Sequence, residues 1–326
     1  MRAFGRLLGR VLLALGLVAG AAWLFVPGEP VDTGIAFDEG GLPDDLDRYL
    51  AAAEARVEGI TPGTEKRIVW AGATGERTAL SVVYLHGFSG SSEELRPVPD
   101  RVAKALGANL YFARLAGHGL QGAALAGVSA GDWLEDTAEA LGIGRRIGRE
   151  VLVIATSTGG TLAAIAATDP GRIDAVKGVV FVSPNFRLRH RAAPLLTAPF
   201  ARYLVPLLAG REIGFAPQNE RHGRYWTTRY PSVAVIPVAA LVAHARGLDY
   251  SGVTTPALFL YSRDDKVVSP RATRRVAARW GGAAEVLEVE LGPGDDPYAH
   301  VLAGDVLSPG LTAPVTAAIL DWVRRL

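Results

Sequence analysis

The stretch Val151-Leu-Val-Ile-Ala-Thr-Ser157-Thr-Gly-Gly-Thr-Leu-Ala-Ala-Ile165 decides how the rest of the chain is interpreted. The apolar run at 151–155 predicts a buried strand, and a helix is predicted over 159–168. A serine at such a sharp strand-to-helix turn projects its hydroxyl above the sheet. The positions two residues to either side must be small, and Ala155 and Gly159 occupy them. Ser157 is therefore the candidate nucleophile, and the helix N-terminus after it favours negative charge.

Apolar runs alternate with helical patterns on both sides of this stretch. Because strands that are apolar throughout are buried on both faces, the alternation predicts an α/β fold with a mostly parallel central sheet and helices on both faces. Asp132 is placed to cap the helix that it begins. The predicted strands are 67–71, 80–85, 109–115, 151–155, 176–182, 257–261 and 285–290, and the predicted helices are 46–57, 98–106, 132–141, 159–168 and 313–325.

The composition divides the chain into segments. Residues 28–64 form a linker and entrance segment that is rich in glycine, proline and acidic residues, after the N-terminal segment 1–27. Residues 65–183 and 251–326 are predicted to be the two parts of the core. Between them, residues 184–250 are dense in proline and aromatic residues and carry nine arginines against three acidic residues. We expect this insertion to be a lid over a pocket at the carboxyl edge of the sheet.

The N-terminus predicts a membrane or export segment. Arg2, Arg6 and Arg10 precede an apolar run at 11–26, and the run covers 20 residues if it is extended back to residue 7. That length can cross a bilayer if Arg10 snorkels toward the headgroups. We expect residues 1–27 to be an uncleaved signal anchor that places the catalytic domain outside the cytoplasm, on the periplasmic or extracellular side. A cleaved signal peptide with secretion, or an ordinary buried helix, is the alternative.

Composition also excludes several kinds of site. The 326 residues have a formal net charge of +1, which argues against a nucleic-acid partner. The chain has no cysteine, so a disulfide, a thiolate nucleophile and a cysteine-ligated metal are excluded. The histidines at 190, 222 and 244 are scattered without metal-ligand spacing, and no metal or other cofactor is expected.

A serine nucleophile needs a neighbouring base and an acid behind that base. The predicted strand 257–261 leads into Ser-Arg-Asp264-Asp265-Lys-Val-Val, and the predicted strand 285–290 leads into a glycine-rich loop that contains His300. We take His300 as the candidate base and Asp265, directly before Lys-Val-Val, as the candidate acid. Asp264 is the alternative acid. A capping or turn role for the aspartate, and an ordinary surface position for the histidine, remain open.

Acyl transfer also needs two N–H donors for the oxygen that becomes negative. We expect one from the backbone of Thr158 and the other from the backbone of Phe88, in the loop after the predicted strand 80–85. Gly87 allows the backbone of this loop to approach a substrate. His86 and His118 are expected to shape their loops and not to act as bases.

Five motifs in the sequence are similar to those of a known family. The motifs are His86-Gly-Phe-Ser-Gly, Arg114-Leu-Ala-Gly-His-Gly, the turn at Ser157, Ser262-Arg-Asp-Asp-Lys-Val-Val and Ala299-His-Val-Leu-Ala-Gly-Asp. Together they resemble α/β-hydrolases of the monoacylglycerol lipase and carboxylesterase type, often grouped with serine aminopeptidase-like hydrolases. The resemblance covers residues 78–326, includes the order Ser, Asp, His, and departs at Ala155, where the common motif has glycine.

This resemblance implies an α/β-hydrolase fold and cleavage of a carboxylic ester through an acyl-enzyme, without a cofactor. The enzyme would be a carboxylesterase or a lipase acting on monoacylglycerols or lysolipids, and the apolar, aromatic lid favours a hydrophobic acyl pocket. With a membrane anchor, we expect a lipid-like substrate and a basic lid that faces anionic headgroups.

Other interpretations use the same residues. An amidase or peptidase of the same fold would share the nucleophile, base and acid, and a membrane-tethered relative without catalysis would have lost one of them. A dehalogenase is disfavoured because its nucleophile is a carboxylate, whereas position 157 is serine.

Overall fold

A computed structural model of the chain describes residues 2–326, with the backbone alone at residues 2, 3, 19 and 22–24. Met1, which begins the predicted anchor, lies outside the described residues. The strands in chain order are β1 (Arg67–Val69), β2 (Thr78–Leu85), β3 (Asn109–Phe112), β4 (Gly148–Thr156), β5 (Val176–Val182), β6 (Glu212–Gly214), β7 (Arg229–Pro231), β8 (Ala257–Tyr261) and β9 (Ala284–Glu288). The helices are α1 (Arg2–Phe25), α2 (Leu46–Glu54), α3 (Val98–Leu106), α4 (Ala130–Ile147), α5 (Thr158–Ala167), α6 (Ala201–Ala209), α7 (Glu220–Tyr225), α8 (Val235–Gly247), α9 (Pro270–Ala277) and α10 (Thr312–Val323).

Within residues 2–326, seven strands form the central sheet in the order β1-β3-β2-β4-β5-β8-β9. All neighbouring strands are parallel except β1, which pairs antiparallel with β3 at one edge. Parallel strands align their carboxyl ends, so the loops after β2, β4, β8 and β9 meet along one edge. This sheet confirms the predicted α/β-hydrolase fold.

The side chains of the central strand alternate between two hydrophobic cores. On β4, Val151 and Val153 pack with residues of α2, α4, α5 and α9, whereas Leu152 and Ile154 pack with residues of α3 and α10. Positions 151–155 are therefore all apolar, because both faces of this part of the strand are buried. Helices cover both faces, as the sequence predicted.

The helix predicted at 132–141 starts earlier and runs longer than expected. It extends over Ala130–Ile147, and Ser129 is its N-cap. The Ser129 hydroxyl accepts a hydrogen bond from the Asp132 N–H at 3.2 Å, and Asp132 accepts one from the Ser129 N–H at 2.8 Å. The predicted cap at Asp132 is therefore wrong: Asp132 is the third helical residue of a reciprocal capping box.

The segment between β5 and β8 contains α6, α7 and α8 and the antiparallel pair β6–β7, which is separate from the central sheet. The predicted insertion 184–250 lies here. Val238 and Leu241 of α8 pack against Leu162 and Ile165 of α5, the helix that begins after Ser157. The segment is thus attached to the core directly beside the candidate nucleophile, and its role as a lid stays a prediction.

The N-terminal helix α1 carries exposed apolar side chains, among them Leu17, which is 66% exposed, and Phe25, which is 83% exposed. None of the helices in the described residues meets the length and hydropathy needed to cross a membrane. The signal anchor at 1–27 stays a prediction.

Candidate active site

Ser157 lies at the turn between β4 and α5 in a backbone conformation that L-residues rarely adopt. Its φ is 49° and its ψ is −112°, a strain that points the side chain away from the sheet. Gly159 explains the need for a small neighbour, because a Cβ there would lie 2.3 Å from the Leu85 carbonyl oxygen. Ala155 is fully buried in the sheet. The tight packing of strand, turn and helix holds the hydroxyl in place.

The structure brings Ser157, His300 and Asp265 together in one hydrogen-bonded row. His300 Nε2 lies 3.0 Å from Ser157 Oγ, and His300 Nδ1 lies 2.8 Å from Asp265 Oδ2. The second Asp265 oxygen accepts hydrogen bonds from the N–H groups of Val267 and Val268, at 2.8 and 2.9 Å. These bonds fix the carboxylate, which in turn orients the imidazole.

The two adjacent aspartates have different surroundings. The Asp265 side chain is 1% exposed and faces His300, whereas Asp264 is exposed and its backbone N–H donates to the Ser262 hydroxyl. The geometry therefore favours Asp265, the first choice from the sequence, over the alternative Asp264.

Acidic neighbours outweigh the effect of burial on the pKa of His300. Burial lowers the pKa of His300, but the Asp265 carboxylate and its hydrogen bond raise it, as do Glu94 and Asp296, and the net pKa lies above the ordinary value. Asp296 also accepts hydrogen bonds from the backbone N–H groups of His300 and Val301, each at 3.0 Å. This second aspartate holds the loop that carries the imidazole.

The two proposed oxyanion donors flank the nucleophile. Thr158 follows Ser157 at the start of α5, and the loop with Gly87 and Phe88 follows β2. A Cβ at Gly87 would lie 3.1 Å from the Ser157 Cβ, so the backbone of this loop runs directly against the nucleophile. Both predicted donors therefore belong to segments that adjoin Ser157, and their role in binding an oxyanion stays a prediction.

The buried side chains of His86 and His118 stabilise the loop that carries Gly87 and Phe88. His86 Nε2 accepts a hydrogen bond from the Leu115 N–H at 3.1 Å, so the proton resides on Nδ1 and is donated to the Gly87 carbonyl at 2.8 Å. Burial, with a contribution from His118, holds the pKa of His86 well below its usual value. Burial likewise lowers the pKa of His118 to about 4. Both imidazoles are therefore uncharged near neutral pH. They hold the loop in position, which is the structural role expected from the sequence.

The sequence interpretation missed one buried acid at the site. Glu94 is 3% exposed, and its Oε2 accepts a hydrogen bond from the Gly87 N–H at 2.6 Å. The Tyr84 hydroxyl lies 3.3 Å from the same oxygen and 3.2 Å from Thr156 Oγ1. No signal in a single sequence distinguishes Glu94 from Glu93 beside it.

The inserted segment contacts two loops that carry candidate site residues. Ser157 and His300 are 7% and 8% exposed. The Thr227 N–H donates to the Ser89 carbonyl at 2.8 Å, and the Gln218 side chain donates to Asp296 at 3.0 Å. Residues 218–227 thus contact both the loop that carries Phe88 and the loop that carries His300. Among residues 2–326, no cluster of histidines and carboxylates is placed to hold a metal ion.

Comparison with known proteins places these features in context. The family model Hydrolase_4, described as serine aminopeptidase, S33, matches residues 76–290. A thermostable monoacylglycerol lipase of Bacillus sp. (strain H-257) is 26% identical over 196 residues, which is 60% of this chain and 74% of the lipase. The matched family model ends before His300, which hydrogen bonds to Ser157 and Asp265 place at the site.

Solved structures share the fold. One comes from work on LipS and LipT, metagenome-derived lipolytic enzymes, with a TM-score of 0.65, 23% identity, and coverage of 82% of this chain and 100% of that one. The monoacylglycerol lipase of Paleococcus ferrophilus has a TM-score of 0.56 at 16% identity and covers 79% of this chain and 97% of its own.

Proposed function

The chain belongs to the Hydrolase_4 family, serine aminopeptidase S33, and on that premise we propose that it hydrolyses carboxylic esters through an acyl-enzyme on Ser157. The observation that carries the proposal is the row of hydrogen bonds from Ser157 through His300 to Asp265, at 3.0 and 2.8 Å. Such a row activates a hydroxyl that is otherwise a weak nucleophile.

The proposed mechanism gives each group a task. Ser157 Oγ attacks the ester carbonyl carbon while His300 Nε2 takes the hydroxyl proton, and the N–H groups of Phe88 and Thr158 bind the resulting oxyanion. The C–O bond then breaks, and the alcohol leaves with the proton from His300. Water, activated by the same imidazole, attacks the acyl-enzyme and releases the acid and free Ser157. Asp265 holds the imidazole tautomer and stabilises the transient positive charge throughout.

Apolar side chains beside the row support a hydrophobic acyl group. Phe88 packs with Leu125 and Tyr230 on one side, and Trp226 packs with Val301 on the other. We propose a monoacylglycerol-like or lysolipid-like ester as substrate. The test is a panel of p-nitrophenyl esters and monoacylglycerols of graded chain length with the full chain in detergent. A preference for medium or long chains supports a lipase, and a preference for acetate supports a small-ester esterase.

A peptidase or amidase is the second candidate, because the matched family model is described as a serine aminopeptidase. Aminoacyl p-nitroanilides included in the same panel separate the two. Turnover of an anilide at a higher kcat/KM than that of every ester would replace the ester proposal.

We further propose that the protein works at a membrane, with residues 1–27 as anchor and the catalytic domain outside the cytoplasm. The Glu29 carboxylate accepts a hydrogen bond from Arg202 Nε at 2.8 Å, which ties the chain just after α1 to helix α6. On α6, Tyr203, Leu207 and Leu208 are 78%, 79% and 69% exposed. An exposed apolar helix held beside the predicted anchor fits insertion into the same lipid surface.

The double substitution Leu207→Glu and Leu208→Glu is expected to weaken activity on vesicle-borne monoacylglycerol by about a hundredfold or more, because burial of each leucine contributes roughly 1.5–3 kcal/mol. Turnover of a soluble short-chain ester is expected to stay unchanged. The matched control is Val286→Glu with Leu287→Glu on β9, which are 47% and 39% exposed. Equal losses in both double variants would contradict a lipid-facing α6.

A further inference from the structure

A cavity of about 710 Å³ lies outside the catalytic row, at the carboxyl ends of β8 and β9 and the start of α9. Of the described residues that line it, five are arginine and one is a glutamate: Arg187, Arg189, Arg263, Arg271, Arg274 and Glu288. We call it the arginine cavity. Such crowding of like charge is unfavourable without a counter-charge.

The protein itself neutralises little of this charge. Arg263 pairs with Glu288, and the Arg189 guanidinium donates to the main-chain carbonyl of Asp265. The guanidinium groups of Arg187, Arg271 and Arg274 make no direct hydrogen bond or ion pair with any residue that the structure describes, and Arg274 interacts with the Glu288 carboxylate only from a longer distance. Several N–H forks therefore face the arginine cavity with their donors available.

The chemistry of these groups indicates the ligand. A guanidinium presents paired N–H donors that match the oxygens of a phosphoryl group, and a phosphoryl group carries enough charge to engage more than one arginine. The volume lies within the range of small-molecule sites and exceeds what a bare phosphate fills. We propose that the arginine cavity binds the phosphoryl group of an organic phosphate or of a phospholipid headgroup.

The arginine cavity adjoins the loop that carries Asp265, the candidate catalytic acid. Arg189 reaches the backbone of Asp265, whose carboxylate orients His300, and Ser269 at the end of the same loop also lines the arginine cavity. A bound phosphoryl group would thus rest against the loop that holds the catalytic acid. The proposed binding of a phosphoryl group is independent of which ester the active site cleaves.

The test uses the full chain with the double substitution Arg271→Glu and Arg274→Glu on the exposed surface of α9. Calorimetric titration with inorganic pyrophosphate, and flotation with phosphatidylglycerol vesicles, provide the two arms. The matched control is Arg101→Glu with Arg149→Glu, two exposed arginines on α3 and at the start of β4. Hydrolysis of a soluble p-nitrophenyl ester monitors folding.

We expect the α9 variant to lose affinity by roughly tenfold or more in at least one arm, since charge-assisted bidentate bonds are the strong class of hydrogen bond. Loss in the pyrophosphate arm identifies a soluble phosphate ligand, and loss confined to the vesicle arm identifies a lipid headgroup. The proposal is overturned if the α9 variant and the control change equally in both arms, or if the wild type binds neither probe.

An independent observation concerns the catalytic site itself. The buried chain of contacts Gly87–Glu94–Tyr84–Thr156 joins the oxyanion loop to the residue just before Ser157. Because the Phe88 and Thr158 donors come from these two segments, one carboxylate fixes their separation. We infer that Glu94 is a positioning residue for the oxyanion hole, an inference that rests on the proposed function.

The packing around Glu94 supports a fixed distance. A Cβ at Gly87 would lie 2.8 Å from one carboxylate oxygen of Glu94, and one at Gly90 would lie 3.2 Å from its Cδ. The loop therefore closes tightly over the carboxylate. Burial holds the pKa of Glu94 above its ordinary value, although the Gly87 N–H and nearby His300 pull it down.

Glu94→Met keeps the side-chain volume but removes the acceptor, and Glu94→Gln retains an acceptor for the Gly87 N–H. We expect Glu94→Met to lower kcat per active site by about 10², the size of losing one oxyanion donor, with little change in KM. Glu94→Gln should recover most of that loss. Sites are counted by fluorophosphonate labelling, because a merely structural defect reduces the number of sites and not the turnover of each.

The adjacent Glu93→Gln is the control, since Glu93 pairs with Arg96 and Arg221 and not with the loop backbone. Should Glu94→Met fail to fold, Tyr84→Phe breaks the link to Thr156 and is expected to lower kcat per site by about tenfold. An unchanged kcat per site in the folded variants, or no recovery in Glu94→Gln, overturns the role. An inactive wild type would instead refute the ester hydrolase proposal.

Discussion

Ser157→Ala is expected to lower kcat for a p-nitrophenyl ester by about four to six orders of magnitude, because the hydroxyl that forms the acyl-enzyme is removed. The row of His300 and Asp265 would remain intact but would have no oxygen to activate. The substitution removes one atom at a position with φ of 49°, so the fold is expected to persist. The measurement is steady-state hydrolysis together with labelling by a fluorophosphonate probe.

A neighbouring serine provides a matched control for this prediction. Ser183 directly follows the adjacent strand β5 and is fully buried. Its φ is 44°, and its hydroxyl has no hydrogen-bond partner among the described residues. Ser183→Ala is expected to change kcat by less than about threefold, as for a hydroxyl without a partner. Equal labelling of wild type and Ser157→Ala would show that the nucleophile lies elsewhere.

The position of Ser157 at a strained turn between β4 and α5 could be predicted from the sequence because the requirements of such a turn are local. A buried strand, a turn with small residues and a helix follow one another within a few positions, and the Leu85 carbonyl lies where any Cβ at position 159 would clash. The central sheet was predictable for a similar reason, since residues 151–155 of β4 are all apolar and are buried on both faces of the strand.

The remaining parts depend on contacts between distant segments. Ser129 and Asp132 are both residue types that cap helices, and in the structure the helix begins after Ser129, with Asp132 as the reciprocal partner of that cap. Glu93 and Glu94 are adjacent acids, yet one turns toward arginines and the other toward the Gly87 N–H. The packing of the turn against the core decides which of two similar side chains points inward. No local pattern in a single sequence encodes that packing.

Substitution of Asp265, the acid that hydrogen-bonds to His300, has the second large expected effect. Asp265→Asn is expected to lower kcat/KM by about 10⁴, because an amide in place of the carboxylate favours the wrong imidazole tautomer and removes the charge that supports the imidazolium. Asp264→Asn, at the exposed neighbour, is expected to change kcat/KM by less than about threefold, as surface substitutions do. The pair is compared by steady-state kinetics across pH.

The pH profile distinguishes loss of the charge from a general defect. His300 must be neutral to accept the proton, so kcat/KM rises as pH increases through its pKa. Asp265 raises the pKa of His300, and Asp265→Asn should therefore move the acid limb of the residual activity to lower pH. Asp264→Asn should leave that limb in place. If instead Asp264→Asn caused the larger loss and moved the limb, the acid would be the exposed aspartate, and the buried hydrogen bond at 2.8 Å would have no role in turnover.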